Sequence, residues 1–520
     1  MALSNGVDRR SSHDLGQSPI VRATEGWLEL FLTPPEKFQF SQWREIVTDR
    51  SLVHHGTMQS FQWLASFIPD DIAPNVITLA GFLALGQAWY LTNLYGAFYP
   101  TGCTILAFGH VFLFWVLNSL TICHSRRLRQ QSALSDLFKY SCDSASTVFL
   151  AMLTTYCLGG TDVETQWYAV QASQLVLLLK HLSAFHRHSG LRYRPAAGPG
   201  EVLLTCMGFL ALRAVFGVDQ LNAWYKTSFR MVVYNKSETT VVTGQEWVQL
   251  VYYGLFTASV ARAFLLTRPH GWTRFGLVAS LLMRFVPAIL LNFGLSPDPY
   301  TVMDVVCDGL FVSVLTSDLI LAKMADRELH PWVVLMSLSA TLSYPIILSL
   351  VAAYYIGVFS DLCFYLNLPL LATCRNVYCD GVYDLCHIGH KRAFQNALGF
   401  GNRLLVGVMG DEDASKYKRP PIMSHDERCA EVEACKAVSK VIPNAPCFGL
   451  TQEFLDEHQI HIVAFGEEYL TKYPNPDDDP YYGLPRKQGI ARPLPRTNTL
   501  STTDLIQRIH KATAKKNSPT

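Results

Sequence analysis

Charge is what this chain has least of. Asp, Glu, Lys and Arg make up 16% of its 520 residues, against about 25% in an ordinary soluble protein. The shortage is uneven. From about residue 73 to 371 long apolar runs alternate with short polar loops, whereas 372–520 carries ordinary soluble charge density. A basic excess is also missing, and a formal net charge of +1 gives no electrostatic argument for nucleic acid as a partner. The thirteen cysteines follow no regular spacing, which speaks for reduced thiols rather than a disulfide framework. The first ten residues are polar, with no apolar signal-peptide core, so no cleaved leader is expected and the first span serves as the insertion signal.

What is present begins with the apolar runs. Stretches long enough to cross a bilayer, about 20 residues each, fall near 73–92, 100–120, 140–160, 167–185, 202–218, 247–266, 275–294 and 303–323. The block 331–371 is too long for one span, and Ser343-Tyr344-Pro345 divides it into two, which makes ten. The loops holding Arg126-Arg127 and Arg129, Arg187 to Arg194, Arg268 to Arg274 and Lys323 to Arg327 all fall on one side. By the positive-inside rule that side is cytosolic, and ten spans return the chain to it before residue 372. The loop 219–246 falls opposite and contains a glycosylation triplet at Asn235. The resulting division is a cytosolic segment over 1–60, a polytopic all-α membrane domain over 61–371, an α/β Rossmann-like domain over 372–510 and a short basic tail over 511–520.

After residue 376 the pattern switches to alternating strands and helices. Val377–Cys379, Arg403–Met409, Lys440–Ile442 and His461–Ala464 read as strands, and 389–398, 425–440 and 454–458 as helices. Such alternation predicts a doubly wound parallel sheet with its ligand at the carboxyl ends of the strands. At one such end stands His387-Ile388-Gly389-His390, with Gly410-Asp411 and Phe465-Gly466-Glu467 at two others. Glycine allows the backbone to approach a phosphate, the helix N-terminus offers unpaired N–H groups, and two imidazoles donate to phosphoryl oxygens as charge builds. A lysine-bearing loop (Lys416-Tyr417-Lys418-Arg419) and the turn Arg496-Thr497 to Ser501-Thr502-Thr503-Asp504 follow in order. Arg496 is suited to clamp phosphate oxygens, and the Ser-Thr-Thr turn to cap a final helix or add donors. A satisfied core histidine pair, a solvated lysine and a plain helix cap are the competing readings. Cys379 and Cys386 flank the histidine motif without a base that would make either a nucleophile, so both are expected to pack.

These motifs, with Asp380-Gly381-Val382-Tyr383-Asp384, Glu427-Arg428 and Asn444-Ala445-Pro446, resemble the eukaryotic cytidylyltransferases that activate phosphocholine and phosphoethanolamine, over 375–510. The resemblance implies that a substrate phosphate attacks the α-phosphorus of CTP in line and pyrophosphate leaves. It gives catalytic roles to His387, His390, Lys418 and Arg496, and nucleotide contacts to Gly381, Val382, Tyr383, Asp384, Gly389, Thr497, Ser501, Thr502 and Thr503. Mg²⁺ is expected to come with CTP, with no metal held by the protein, and a homodimer is implied. Departures are Asn498-Thr499 and Phe465, where the family usually carries Glu-Gly and His. Asp380, Phe465, Glu467, Glu468 and Tyr469 are candidates for the amino-alcohol site, and choline is favoured over ethanolamine. The long membrane-sensing helix usual in choline-type enzymes is replaced by the short basic tail, so permanent anchoring in membrane lipid stands in for reversible binding.

The membrane half resembles the choline/ethanolamine branch of the CDP-alcohol phosphotransferases, through Pro69–Gly81, Ala322–His330 and the frame D-x2-D-G-x2-A-R-x8-G-x3-D-x3-D. The four acidic positions read Asn118, Thr121, Lys139 and Asp143, and Arg126 is kept. Two divalent cations need several carboxylate oxygens. Asn and Thr supply neutral ones, Lys139 brings a competing cation, and Glu201 alone does not rebuild the site. The expectation is therefore a membrane-anchored cytidylyltransferase, seated by resemblance in the endoplasmic reticulum, with an inactive phosphotransferase-like half. Two alternatives remain open: a bifunctional enzyme that also forms phospholipid from diacylglycerol, and a scaffold that partners an active phosphotransferase.

Overall fold

A computed structural model describes the chain apart from residues 1–30, 45–46, 187–190, 197, 218–219, 221–222, 224–227, 232–239, 267–271, 293–299, 342, 418, 447, 496–501 and 517–520. It divides into two units, one holding residues up to 125 and 131–371, the other 126–130 and 372–520.

The first unit is helical. Helices Pro74–Tyr95, Pro100–Arg127, Ala133–Cys157, Val163–His186, Pro199–Phe216, Gly244–Leu266, Trp272–Asn292 and Val302–Met324 coincide with the first eight expected spans. Among the described residues five helices, counting Tyr344–Leu366 and the stretch Thr273–Leu290, are long and apolar enough to cross a membrane by length and composition. The expected break falls where it was placed, because Ser343 is the N-cap of Tyr344–Leu366 and Pro345 lies in its first turn. The piece before the break is short. Pro331–Met336 gives way to a 3-10 turn over Ser337–Thr341, in all roughly 19 Å of rise against a hydrocarbon core of about 30 Å. Asn235 lies outside the described residues.

Several buried charges inside this unit are paired, as burial in an apolar bundle demands. Arg284 Nε lies 2.8 Å from Asp308, which also accepts from Trp167 Nε1 at 2.9 Å. Asp318 accepts from Arg327 at 2.6 Å, Tyr354 at 3.1 Å and the backbone of His330 at 2.8 Å.

The second unit is built on strands β1 (Asn376–Gly381), β2 (Arg403–Met409), β3 (Lys440–Ala445), β4 (Ile462–Gly466) and β5 (Ala491–Leu494). All pair in parallel, in the order β3-β2-β1-β4-β5. That is the doubly wound order, and it reverses between β1 and β4, where a crevice opens at the strand ends. Val377, Cys379, Leu404, Val406 and Val408 face one apolar core, while Tyr378, Leu405, Ile442, Val463 and Phe465 face another. The near-continuous apolar strands follow from burial on both faces.

The connecting helices are α1 (Ile388–Leu398), α2 (Asp411–Tyr417), α3 (His425–Glu433), α4 (Gln452–Glu457), α5 (Glu468–Lys472), α6 (Gly483–Lys487) and α7 (Thr502–Lys516). Expected helix 425–440 stops at Glu433. Ser439 is pulled away to pair with Leu404, donating its N–H at 2.8 Å and accepting at its hydroxyl at 3.2 Å, which starts the β3 ladder. A Ser424–Glu427 capping box begins α3.

Candidate active site

The site grows from the carboxyl end of β1. Gly381 is required there, because a Cβ would stand 2.9 Å from the Tyr383 ring. The chain then turns through Tyr383 and Leu385, both in the left-handed region at φ +52° and +49°, a conformation that non-glycine residues rarely keep without surrounding support. Tyr383 packs its ring edgewise on His390 at 5.4 Å and on Phe394 at 5.0 Å, which fixes the start of α1.

His387 is the N-cap of α1, and its Nδ1 accepts from the Gly389 N–H at 3.1 Å. That bond settles its tautomer. A neutral ring accepting at Nδ1 carries its proton on Nε2, 3.4 Å from the Thr502 hydroxyl oxygen, which in turn lies 3.4 Å from the Asp384 carbonyl. Burial pushes the His387 pKa below its ordinary value of 6.5, partly offset by Asp504, so the ring is neutral at pH 7. His390 lies parallel to it, with ring centroids 4.0 Å apart. Two stacked imidazoles at a helix N-terminus, one with its Nε2–H beside the Thr502 hydroxyl, make a place where negative charge on a phosphoryl group is stabilised.

Beside the histidines, at the end of β1, Asp380 accepts from the Tyr482 hydroxyl at 2.6 Å. Burial pushes its carboxyl up to about 6, against the pull of that hydrogen bond. Tyr482 belongs to an aromatic group with Tyr469 (5.0 Å) and Phe465 (5.1 Å), and Tyr481 joins through Tyr469 (5.3 Å) and Phe448 (5.3 Å). A carboxylate backed by rings is a seat for an ammonium group. Phe465 stands behind this wall rather than in it, because its ring is only 3% exposed and sits in the core. Glu467 and Glu468 are exposed, and Tyr469 is half-buried.

The other expected residues are placed as follows. Gly389 gives its N–H to His387. The Val382 carbonyl accepts from Arg428 at 2.6 Å. The Asp384 carboxylate accepts from the loop Arg419–Met423. Thr502 is at the site and Thr503 is exposed. Lys418, Arg496, Thr497 and Ser501 lie outside the described residues. The thiols of Cys379 and Cys386 are pushed up to about 12 by burial, which suits packing and not attack. The carboxylates fit a protein-held Mg²⁺ poorly: Asp380 is held by Tyr482, Asp384 by the loop and Asp411 by Arg428 at 2.6 Å. Among the described residues no trio of His, Cys, Asp or Glu is placed to hold a metal.

Tyr482, Arg419 and Arg428 are site-building residues that sequence reasoning missed or left without a role. Arg428 is fully buried and ties the ends of β1 and β2 together, donating to Val382, to the Met409 carbonyl at 2.9 Å and to Asp411. Its partners lie up to 46 residues away in sequence, so no local pattern shows them. The adjacent pair Tyr481-Tyr482, after the run Pro476 to Pro480, was the one visible signal of the aromatic wall.

In the helical unit, Asn118 donates to Asp143 at 3.0 Å and Lys139 Nζ lies 3.6 Å from the other oxygen of that carboxylate. Thr121 donates to the Leu117 carbonyl at 3.0 Å, and Glu201 accepts from the Val53 N–H at 3.1 Å. Arg126 is exposed. Asn118, Lys139 and Asp143 thus meet at one carboxylate.

Residues 378–508 match the family described as cytidylyltransferase-like. The chain is 37% identical over 133 residues to the ethanolamine-phosphate cytidylyltransferase of Mus musculus, covering 26% of this chain and 32% of that one. It is 40% identical over 135 residues to choline-phosphate cytidylyltransferase A of Rattus norvegicus, covering 26% and 36%. With choline-phosphate cytidylyltransferase 2 of Arabidopsis thaliana it shares 40% over 137 residues, 26% of this chain and 44% of the other. The match therefore spans 32% to 44% of these relatives' length. A crystal structure of a lipopolysaccharide core biosynthesis protein from Thermoplasma volcanium, 22% identical over 25% of this chain and 99% of its own, has a TM-score of 0.20, too low to carry an argument. The second unit thus matches the cytidylyltransferase-like family over 378–508 and is similar to choline-phosphate and to ethanolamine-phosphate enzymes alike.

Proposed function

We propose that the second unit transfers the cytidylyl group of CTP to phosphocholine or phosphoethanolamine. A phosphate oxygen of the amino-alcohol phosphate attacks the α-phosphorus, the bond to the β,γ-phosphates breaks, and pyrophosphate leaves. The observation that carries this reading is the stacked pair His387 and His390, 4.0 Å apart at the N-terminus of α1 beside the topological switch point. His387 Nε2–H donates to an α-phosphoryl oxygen as charge builds, and its cap bond to Gly389 keeps the ring in that tautomer. Asp380 and the tyrosine wall seat the ammonium end of the second substrate. A quaternary ammonium is favoured, because aromatic faces outnumber the acceptors a primary amine would need. Lys418 and Arg496 supply positive charge to the triphosphate by resemblance, and Mg²⁺ arrives with the nucleotide.

The helical unit, in this proposal, anchors the enzyme in a membrane with the second unit on the cytosolic side. It is a phosphotransferase-like frame without catalysis: one carboxylate, Asp143, is balanced in place by Lys139. The test is direct. Detergent-purified protein is given CTP with either amino-alcohol phosphate and then diacylglycerol, and pyrophosphate and lipid product are followed separately. Pyrophosphate without lipid product is expected. No pyrophosphate with either substrate would refute the transfer reading, and phospholipid from a preparation free of other transferases would refute the inactive membrane half.

A further inference from the structure

A buried histidine of the helical unit, His181, has no assigned task. It lies in the last turns of helix Val163–His186 and is 8% exposed. Tyr140 packs edgewise on its ring at 5.5 Å. Among the described residues neither ring nitrogen has a hydrogen-bond partner, although buried polar groups are nearly always satisfied. His124 of the same unit shows the ordinary case: it is wholly buried, and its Nε2 bonds the Ile72 carbonyl at 2.8 Å.

The charges that act on the His181 ring are two ammonium groups, Lys323 and Lys180. Both are half-buried, each against an aromatic face. Lys180 Nζ stands 3.3 Å from the centre of the Tyr193 ring, which the parallel pairing of Thr48–Asp49 with Arg192–Tyr193 holds in place. Lys323 Nζ stands 5.0 Å from the Trp43 ring, whose own Nε1 is buried without a hydrogen-bond partner among the described residues. Carboxylate is scarce here. Asp49 acts on Lys180 from beyond ion-pair distance; one of its oxygens accepts from the Ser51 N–H at 2.8 Å, and the other lies 3.8 Å from His54. Lys139, the neighbour of Tyr140, is engaged with Asp143 at 3.6 Å. A lysine that merely snorkels from a span end keeps its ammonium in water, whereas these two are close enough to a buried imidazole to act on it.

We propose that His181, Lys180 and Lys323, with Trp43 Nε1, form a metal-free site for a phosphate group, at the end of the bundle that carries the basic loops Arg187 to Arg194 and Lys323 to Arg327. The ammonium groups supply charge-assisted bonds to phosphate oxygens, and the imidazole and indole supply further donors. A soluble phosphate and the headgroup of an anionic lipid share this chemistry. The inference does not depend on cytidylyl transfer in the second unit.

Binding is measured on the detergent-purified full chain in EDTA with two probes, radiolabelled inorganic phosphate and phosphatidic acid in mixed micelles, with phosphatidylcholine micelles as the control. Saturable binding of at least one probe is expected. Lys180→Gln and His181→Phe should each weaken it about tenfold, the scale of one hydrogen bond to a charged group, and Lys180→Arg should largely keep it because the charge remains. Melting temperature establishes that each variant is folded. A reading on the unaltered protein needs no variant: the bound probe should slow acetylation of Lys180, followed by mass spectrometry. Binding of phosphatidic acid alone assigns the site to a lipid headgroup, and its displacement by inorganic phosphate extends the site to soluble phosphates. No binding of either probe by the unaltered protein, undiminished binding in folded Lys180→Gln and His181→Phe, or unchanged acetylation of Lys180 would each overturn the site. Binding that requires added Mg²⁺ would overturn its metal-free character.

Discussion

Two polar clusters invite comparison, one around His387 and His390, the other around Asn118, Lys139 and Asp143. Both bring residues from separated positions into contact, and both stand where a family resemblance places chemistry. They differ in where their hydrogen-bonding capacity points. In the first, His387 accepts at one ring nitrogen within its own helix cap and sets the other beside the Thr502 hydroxyl, 3.4 Å away at the half-buried start of α7. In the second, amide and ammonium both address the one carboxylate, so charge is cancelled inside the cluster. Spacing kept in sequence therefore does not mean chemistry kept. What matters is whether the groups are left with something to offer a ligand.

The largest expected effect is at the histidines. His390→Ala and His387→Ala should each lower kcat for pyrophosphate release by about 10²–10³-fold, the scale of losing one donor to a developing anion. His387→Asn sharpens the point. Asparagine is a good N-cap, so this variant should keep its melting temperature and still lose transfer. If His387→Asn were active, the histidine would be a cap and the comparison would fail on its first side.

Arg428→Ala comes next, as a loss of stability. Removing a fully buried guanidinium leaves the Val382 and Met409 carbonyls without their donor, for a cost of about 2–4 kcal/mol by thermal or denaturant unfolding of the second unit. Arg428→Lys should recover little, because one ammonium does not reproduce the fork that reaches both strand ends.

A smaller effect is expected from pH. Asp380 is raised to about 6, so the carboxylate is ionised above that value and protonated below it. KM for the amino-alcohol phosphate should be flat above pH 7 and rise as pH falls through about 6, where the negative charge is lost. The Tyr482 hydroxyl favours the ionised form, so Tyr482→Phe should move the inflection to higher pH. An inflection that stays put would separate Asp380 from ammonium recognition.

Much of the second unit was legible because its signals are local. The apolar run Arg403–Met409 was placed to the residue, and the helix after His387 to within one. The fifth strand, Ala491–Leu494, was not seen, since it is four residues long and Pro493 reads as a breaker; its place at the sheet edge is what tolerates that proline. Helix Asp411–Tyr417 was not foreseen, and its last two residues, Lys416 and Tyr417, were read as loop. In the helical unit eight of the expected stretches are helices, but the block 331–371 hid a piece too short to span, because hydropathy does not register a 3-10 turn. The partners of Asp384 were illegible for another reason: they lie 35 to 39 residues on, and a carboxylate near a phosphate motif looks the same whether it meets a nucleotide or a loop.

The measurement that bears most directly on the contrast between the clusters is pyrophosphate release from CTP and phosphocholine by three purified full-length proteins: unaltered, His390→Ala and Asp143→Ala. Transfer by the unaltered protein, its loss in His390→Ala and its retention in Asp143→Ala are the predicted results. Loss of transfer in a folded Asp143→Ala, or its survival in His390→Ala, would contradict the account.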